Sequence, residues 1–272
     1  MTAQQTWINA MLYEKGEWIA KEIKNHLEET GYVLVRDFPI GKTNTYELFQ
    51  NLCTAIGHPI GHDKAGTIIW DIKSKPPSSD RFGVITYSEH NHEADLHTDS
   101  QYSEYPEDYF ALLTLKKAAC GGGLSYLLSV ADIVSELNES ADGKKVLDII
   151  QTTKYPFIVP NVFKKKSGDT PEFNFGYLLK GGKMRFRVDT IQKALNYDAS
   201  FCTPEQIWAF DYLVHLVRNT QHTRRFHLEP GDLIFINNKT MLHGRSSFTD
   251  YDRHLLRIRM NVRETLEVRH RE

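Results

Sequence analysis

Eight residues near the end of the chain, Arg253-His254-Leu255-Leu256-Arg257-Ile258-Arg259-Met260, restrict its architecture more than any other stretch. In a strand, side chains alternate between faces, so Arg253, Leu255, Arg257 and Arg259 share one side and His254, Leu256, Ile258 and Met260 the other. Buried arginines call for anions to meet them. The mostly apolar opposite face calls for a cover. The pattern predicts a sheet with a polar-lined interior and helices packed outside it.

The rest of the chain supplies both parts. A helix is predicted over residues 17–30, where Ile19, Ile23 and Leu27 recur four apart and Gly31 follows as a stop. Residues 32–35 read as a strand. Asn44 and Glu47 have the spacing of a capping box, opening a helix through Ile56. A short strand is expected at 67–70. Residues 78–93 are polar and show little periodicity, which in a compact domain marks a functional segment.

Further strands are predicted at 109–115, 124–128, 157–159 and 184–188, and a helix capped by Ser129 and Asp132 runs to Leu137. Thr203-Pro204-Glu205-Gln206 joins an N-cap, a proline at the first helical position and a Gln at the third, opening a helix to about Asn219. Residues 226–228 and 233–236 flank the Glu229-Pro230-Gly231-Asp232 turn as a β-pair. With helices early and strands dominating later, the reading is one α+β domain over residues 1–272. It is a β-sandwich or barrel with N-terminal and inserted helices packed on one sheet.

A formal charge of −2 with 25% charged residues gives no nucleic-acid footprint. No apolar run approaches the ~20 residues that span a bilayer, and the first ten residues lack a signal-peptide pattern. Cys53, Cys120 and Cys202 are few, odd in number and far apart, which fits a reducing compartment. A cytoplasmic protein with a small-molecule substrate, and neither a nucleic-acid nor a membrane partner, is expected. Nothing in the sequence bears on oligomeric state.

The chemistry centres on His97-Thr98-Asp99. Residues two apart share a face of a strand but diverge by about 200° on a helix. A strand here presents an imidazole beside a carboxylate, and His243 from a later strand completes the set. Two histidines and one carboxylate, with positions left open opposite them, are the ligands of a non-haem Fe(II) oxygenase. The same His-x-acid form recurs at His26-Leu27-Glu28 and His227-Leu228-Glu229. The first lies on a predicted helix. The second lies in a strand, with His243 too near and no Arg-x-x-x-Arg after the later histidines. Both read as surface pairs.

His97-Thr98-Asp99, His243-Gly244-Arg245 and Arg253-x-x-x-Arg257, with Gly122-Gly123-Leu124-Ser125 and Pro230-Gly231-Asp232-Leu233, resemble the Fe(II)/2-oxoglutarate-dependent dioxygenases of the taurine dioxygenase and clavaminate synthase-like superfamily. The resemblance runs from about residue 34 to 262. It implies a double-stranded β-helix (jelly roll), with iron held by His97, Asp99 and His243. It also implies that Arg253 pairs with the far carboxylate of 2-oxoglutarate, with the Ser125 hydroxyl, a threonine in most members, nearby. Dioxygen is the second cosubstrate. Arg257 matches a residue that in some members anchors an anionic group of the substrate. Halogenating relatives lack the carboxylate that Asp99 provides, so halogenation is disfavoured.

The implied activity is hydroxylation, desaturation or cyclisation of a small amino-acid-like or carboxylate-bearing metabolite, coupled to succinate and CO2 formation. Specificity is expected from residues 87–93 and from Gln101 and Tyr102, with Glu89 or Glu93 meeting an amine. His90 and His92 read as loop residues, and Arg259 as structural. For Arg245 and Arg257 an ion pair and a ligand contact stand level. A non-catalytic cupin-like metal-binding module and a metal-dependent hydrolase are the rival readings, and both leave Arg253 without a purpose.

Overall fold

The computed structural model describes residues 16–41, 43–63, 65–74, 90–164 and 170–262. Most of the polar segment 78–93, including Glu89, lies outside the described residues.

Helix α1 (Gly16–Thr30) closes at Gly31, whose φ of 80° suits only glycine there, and strand β1 (Tyr32–Val35) follows. Helix α2 (Thr45–Ile56) starts as expected, but Asn44 makes no capping bond. Its backbone, at φ −103° and ψ 12°, is not in the extended conformation that aims an N-cap side chain at the first turn. Strands β2 (His58–Ile60) and β3 (Trp70–Lys73) come next, the latter beginning where the expected strand ends. After β4 (Ala94–His97), β5 (Tyr109–Lys116) and β6 (Ser125–Ser129), helix α3 (Val130–Leu137) opens with the Ser129 hydroxyl accepting from the Asp132 N–H.

Helix α4 (Ala141–Thr152) then leads to β7 (Lys154–Ile158), β8 (Phe173–Tyr177) and the short β9 (Leu179–Lys180) and β10 (Lys183–Met184). The strand expected over 184–188 stops at Met184, and α5 (Val188–Tyr197) takes over. Helix α6 (Pro204–Asn219) carries the full Thr203–Gln206 capping box. The chain ends in β11 (Arg224–Phe226), β12 (Leu233–Asn237), β13 (Met241–Arg245) and β14 (His254–Asn261).

Two antiparallel sheets face each other. The larger has the order β1-β12-β5-β14-β2, with β3 beside the first half of β14, and the smaller has the order β11-β6-β13-β4. Leu34, Phe110, Ile234 and Leu255 from the first meet Leu127 and Met241 from the second in a shared inner cluster. The alternation read from 253–260 holds. Leu256, Ile258 and Met260 point outward into a cluster with Ile19, Ile23, Leu27 and Phe49 of α1 and α2. Each fully buried aliphatic there contributes roughly 1.5–3 kcal/mol.

Two expectations change. Residues 226–228 and 233–236 do not pair with each other: Phe226 lies opposite Ser125 in the small sheet, and Phe235 opposite Ala111 in the large one. The intervening turn instead carries the chain across the sandwich. It is tied down by Gly231 N–H to the Thr114 carbonyl at 2.9 Å, Phe38 N–H to the Gly231 carbonyl at 2.8 Å, and an ion pair of Asp232 with Arg36. The helices also do not share one sheet. Those of the N-terminal part cover the large sheet, while α3 to α6 pack on Leu96, Leu128 and Leu242 of the small one. The small sheet's outer face is as apolar as the large sheet's, and it needs its own cover.

Candidate metal and cosubstrate site

The register of the small sheet sets His243 of β13 directly opposite His97 of β4. Their rings lie 4.2 Å apart. Asp99 is not on the strand, as the spacing alone had it, but two residues past the strand's last hydrogen-bonded position, in a turn. Thr98 bridges the gap: its N–H donates to the Phe186 carbonyl at 2.8 Å, and the Phe186 N–H donates to its hydroxyl at 3.0 Å. Asp99 thereby returns to the same side as His97.

The candidate ligand atoms of His97, Asp99 and His243 all lie within 4.8 Å of one another. Asp99 Oδ1 is 3.6 Å from His97 Nε2 and 3.8 Å from His243 Nε2. Ligands about 2.1 Å from one metal ion at right angles stand roughly 3 Å apart, so the three are spread slightly wider than a bound ion would draw them. His97 Nδ1 lies 2.7 Å from the Asp95 carbonyl, which assigns the proton to Nδ1 and leaves the Nε2 lone pair turned to the site. Among the described residues His243 Nδ1 is buried without a hydrogen-bond partner.

Charge suits the same purpose. Burial, with His97 adding, holds the His243 imidazole well below its ordinary pKa, so it is a neutral donor. Burial alone would raise Asp99, but Arg257, His97 and His243 together hold its carboxyl well below the usual range. Arg257 Nη1 donates to Asp99 Oδ2 at 3.0 Å, dividing the carboxylate into one oxygen for the histidines and one for the guanidinium.

Arg253 stands one residue before β14, 8% exposed, with its guanidinium 5.3 Å over the Phe248 ring. Among the described residues it has neither hydrogen bond nor ion pair. Burial, with Arg245 adding, pulls its pKa down to about 9, so it stays charged at neutral pH. The glycine segment makes its room: a Cβ on Gly123 (φ 74°) would stand 3.3 Å from Arg253 Nε, and one on Gly122 would strike the Ser247 carbonyl at 2.4 Å.

These residues line a cavity of about 320 Å³, a size for small molecules, with Phe110, Leu112 and Leu255 as its apolar wall. His97, Asp99, His243, Arg253, Ser125, Arg257 and Tyr102 all border it. Tyr102 stacks on Phe163 at 5.4 Å, and burial pushes its phenol up to about 12. Glu93 is exposed and is not among the lining residues. It precedes β4, whose inward side chains begin at Ala94. Arg259 pairs with buried Glu107 at 3.1 Å while bordering the cavity. Arg245 donates to the carbonyls of His90 and His92, and so fixes the loop entering β4.

Two lining residues went unread in the sequence. His62 is 5% exposed and stacks on Trp70 at 5.7 Å, and neither of its ring nitrogens has a hydrogen-bond partner among the described residues. Burial, then Arg257 and Arg259, pull it to about 2, so it is neutral. It sits in a stretch without periodicity, where no pattern marks it. Arg187 forks onto Asp189 at 2.6 and 3.0 Å. Its Arg-x-Asp spacing was a signal, masked by the strand-like reading of 184–188.

The family model described as "Taurine catabolism dioxygenase TauD, TfdA family" matches residues 8–259. No curated protein sequence matches the chain. Among solved structures, it is similar to asparagine oxygenase in complex with Fe(II), 2S,3S-3-hydroxyasparagine and succinate. The two share 16% identity and a TM-score of 0.71, over 90% of this chain and 78% of that one. It is also similar to the non-haem iron oxygenase OrfP. With Fe and alpha-ketoglutaric acid bound, OrfP shows 19% identity and a TM-score of 0.63, over 95% and 87% of the two chains. With Fe, succinate and (3S)-hydroxy-L-Arg, it shows 18% identity and a TM-score of 0.64, over 98% and 95%.

Proposed function

We propose, because this chain belongs to the taurine catabolism dioxygenase (TauD, TfdA) family, that it is an Fe(II)- and 2-oxoglutarate-dependent oxygenase acting on a small amino-acid-like metabolite. The observation that carries the reading is one cavity that holds the His97, Asp99 and His243 cluster and a buried arginine, Arg253, without hydrogen bond or ion pair among the described residues. Neither a cupin-like storage module nor a hydrolase has a use for that arginine.

In this reading His97 Nε2, Asp99 Oδ1 and His243 Nε2 would hold the iron. The iron, with 2-oxoglutarate and dioxygen, supplies the oxidising power to break an unactivated C–H bond, with succinate and CO2 as co-products. Every other part is the protein's. Arg253 would grip the far carboxylate of 2-oxoglutarate through its planar fork, and Ser125, which borders the same cavity, would offer its hydroxyl to it. Phe110, Leu112 and Leu255 keep water from the reacting carbon.

For the substrate, Arg257 and the neutral His62 offer adjoining donors to an anionic group, and Arg257 Nε is buried without a partner among the described residues. A carboxylate held there leaves the neighbouring carbons facing the ligand cluster. The hydroxylated amino acids bound in the asparagine oxygenase and OrfP structures, 2S,3S-3-hydroxyasparagine and (3S)-hydroxy-L-Arg, support an amino-acid-like substrate and hydroxylation over desaturation. Tyr102 would close one wall. Glu93, being exposed, drops out of the amine-binding role within the described residues.

The two facing sheets form, in this reading, one double-stranded β-helix, and residues 1–272 make a single domain. Among the described residues no helix is long and apolar enough to cross a membrane. The three cysteines are free, which supports a cytoplasmic setting. Succinate release from 2-oxoglutarate, measured over a panel of free amino acids with Fe(II) and ascorbate, tests the activity. At least one carboxylate-bearing member should stimulate turnover several-fold. No succinate above the protein-free blank, with or without added compounds, would refute the assignment.

A further inference from the structure

Asp99 is the one member of the ligand cluster that no strand holds. The residue after it, Ser100, has φ 50°, the left-handed region that costs a non-glycine residue roughly 1 kcal/mol or more. Something must keep this turn in place.

The residue that does so lies 139 positions away. Asn238, 1% exposed, sits in the tight turn between β12 and β13, five residues before His243. Its side-chain oxygen accepts the Asp99 N–H at 2.7 Å, and its amide nitrogen donates to the Asp99 carbonyl at 3.1 Å. The same nitrogen donates to the Glu107 carbonyl at 3.1 Å. The amide orientation is unambiguous, since an N–H needs an acceptor and two carbonyls need a donor. Its backbone N–H bonds the Asp108 carbonyl at 2.9 Å. Asn238 thus pairs with the Asp99 peptide as a strand neighbour would, supplying from a side chain the ladder that β4 lacks beyond His97.

On the opposite edge the same turn is gripped through Thr98 by Phe186 and through the Gln101 carbonyl by Arg185, at 2.9 and 2.6 Å. Those contacts set where the turn lies. Among the described residues only Asn238 bonds the Asp99 peptide itself, and it does so from the turn that leads into β13, the strand of His243. We infer that Asn238 is a positioning residue for the metal centre. It ties the carboxylate ligand to the strand of the distal histidine, so that Asp99 keeps one oxygen on the histidines while Arg257 holds the other. This rests on the metal reading of the cluster.

The test uses Co(II), whose visible d–d absorption reports coordination geometry, in calorimetric titrations of the full chain. Asn238→Ala removes all three bonds. Asn238→Asp keeps the acceptor but turns a carboxylate toward two carbonyl oxygens. Both should bind Co(II) roughly 10- to 100-fold more weakly, the range seen when outer partners of metal ligands are lost, with an altered d–d band. A comparator, Thr220→Val, removes the half-buried bond to Glu136 and the one accepted from the His222 N–H, and should leave affinity and spectrum unchanged. Folded Asn238 variants with wild-type affinity and spectrum would overturn the inference while leaving the metal reading intact. A wild-type protein that binds neither Co(II) nor Fe(II) would overturn the metal reading itself. Should both variants fail to fold, amide exchange decides on the wild type. The Asp99 N–H should exchange as slowly as the amides of β13, and exchange at loop rates would end the claim.

Discussion

Replacing Arg253 by alanine separates binding of the cosubstrate from stability of the protein. The guanidinium is 8% exposed and makes no close ion pair among the described residues, Asp250 acting only at longer range, so the fold already bears most of the cost of burying its charge. A carboxylate that docks there gains two charge-assisted hydrogen bonds, each roughly 1.5–3 kcal/mol. Part of this is offset by stripping water from the incoming carboxylate. A net loss of about 3 kcal/mol is expected for Arg253→Ala, or about two orders of magnitude in the dissociation constant for 2-oxoglutarate. Anaerobic calorimetry on the Fe(II)-loaded protein measures it. A chemical partner completes the cycle: 2-oxobutyrate, which lacks the far carboxylate, should bind wild type and variant equally. The variant should in turn treat 2-oxoglutarate no better than 2-oxobutyrate. The unliganded variant should also melt no lower than wild type, because a buried charge without a close ion pair among the described residues has gone, against the loss of a cation–π contact with Phe248. A 2-oxoglutarate affinity within twofold of wild type would refute the role of Arg253.

Three further outcomes are expected. Gly123→Ala forces a β-carbon into a left-handed residue and to 3.3 Å of Arg253 Nε, so it should lose about 1–2 kcal/mol of stability in a urea melt and weaken 2-oxoglutarate binding. Arg257→Ala should raise the KM for substrate at least tenfold and, because Arg257 also holds Asp99 Oδ2, weaken metal binding as well; an unchanged KM would remove Arg257 from substrate anchoring. His62, neutral down to about pH 2 when folded, takes up a proton near 6.5 when unfolded. The unfolded chain therefore binds more protons between those values, and stability rises with pH across that window, by up to about 1.4 kcal/mol per pH unit from this one group. Denaturant melts at pH 7, 6 and 5 should show a shallower acid loss in His62→Gln than in wild type, and parallel profiles would contradict the assignment.

What could be read from the sequence followed from short-range periodicity. The alternation of 253–260 placed three arginines inside and a helix cover outside, and the Thr203 capping box placed a helix start to the residue. The histidine pair was legible because β-registers bring distant strands together in few ways. What escaped depended on contacts far apart in the chain. The Arg257–Asp99 pair spans 158 residues, and the Asn238 clamp 139. No local pattern records either. Helix α5 was hidden because Arg185 and Phe186, β-like in composition, are taken up by Gln101 and Thr98 rather than by a ladder. Helix α4, by contrast, had Val146, Ile149 and Ile150 at helical spacing and a Ser140 cap, a signal available but not used. The turn at 229–232 was read as a hairpin because turn chemistry fixes a reversal, not the sheet to which each arm belongs.

The most direct measurement is an anaerobic titration of the purified protein with Fe(II) and 2-oxoglutarate, followed by visible absorption. Chelation of the iron by the 2-oxo acid should produce a metal-to-ligand charge-transfer band that saturates at one equivalent and is abolished in His97→Ala. A native, folded protein that binds Fe(II) and 2-oxoglutarate without such a band, or not at all, would contradict the assignment of this cavity.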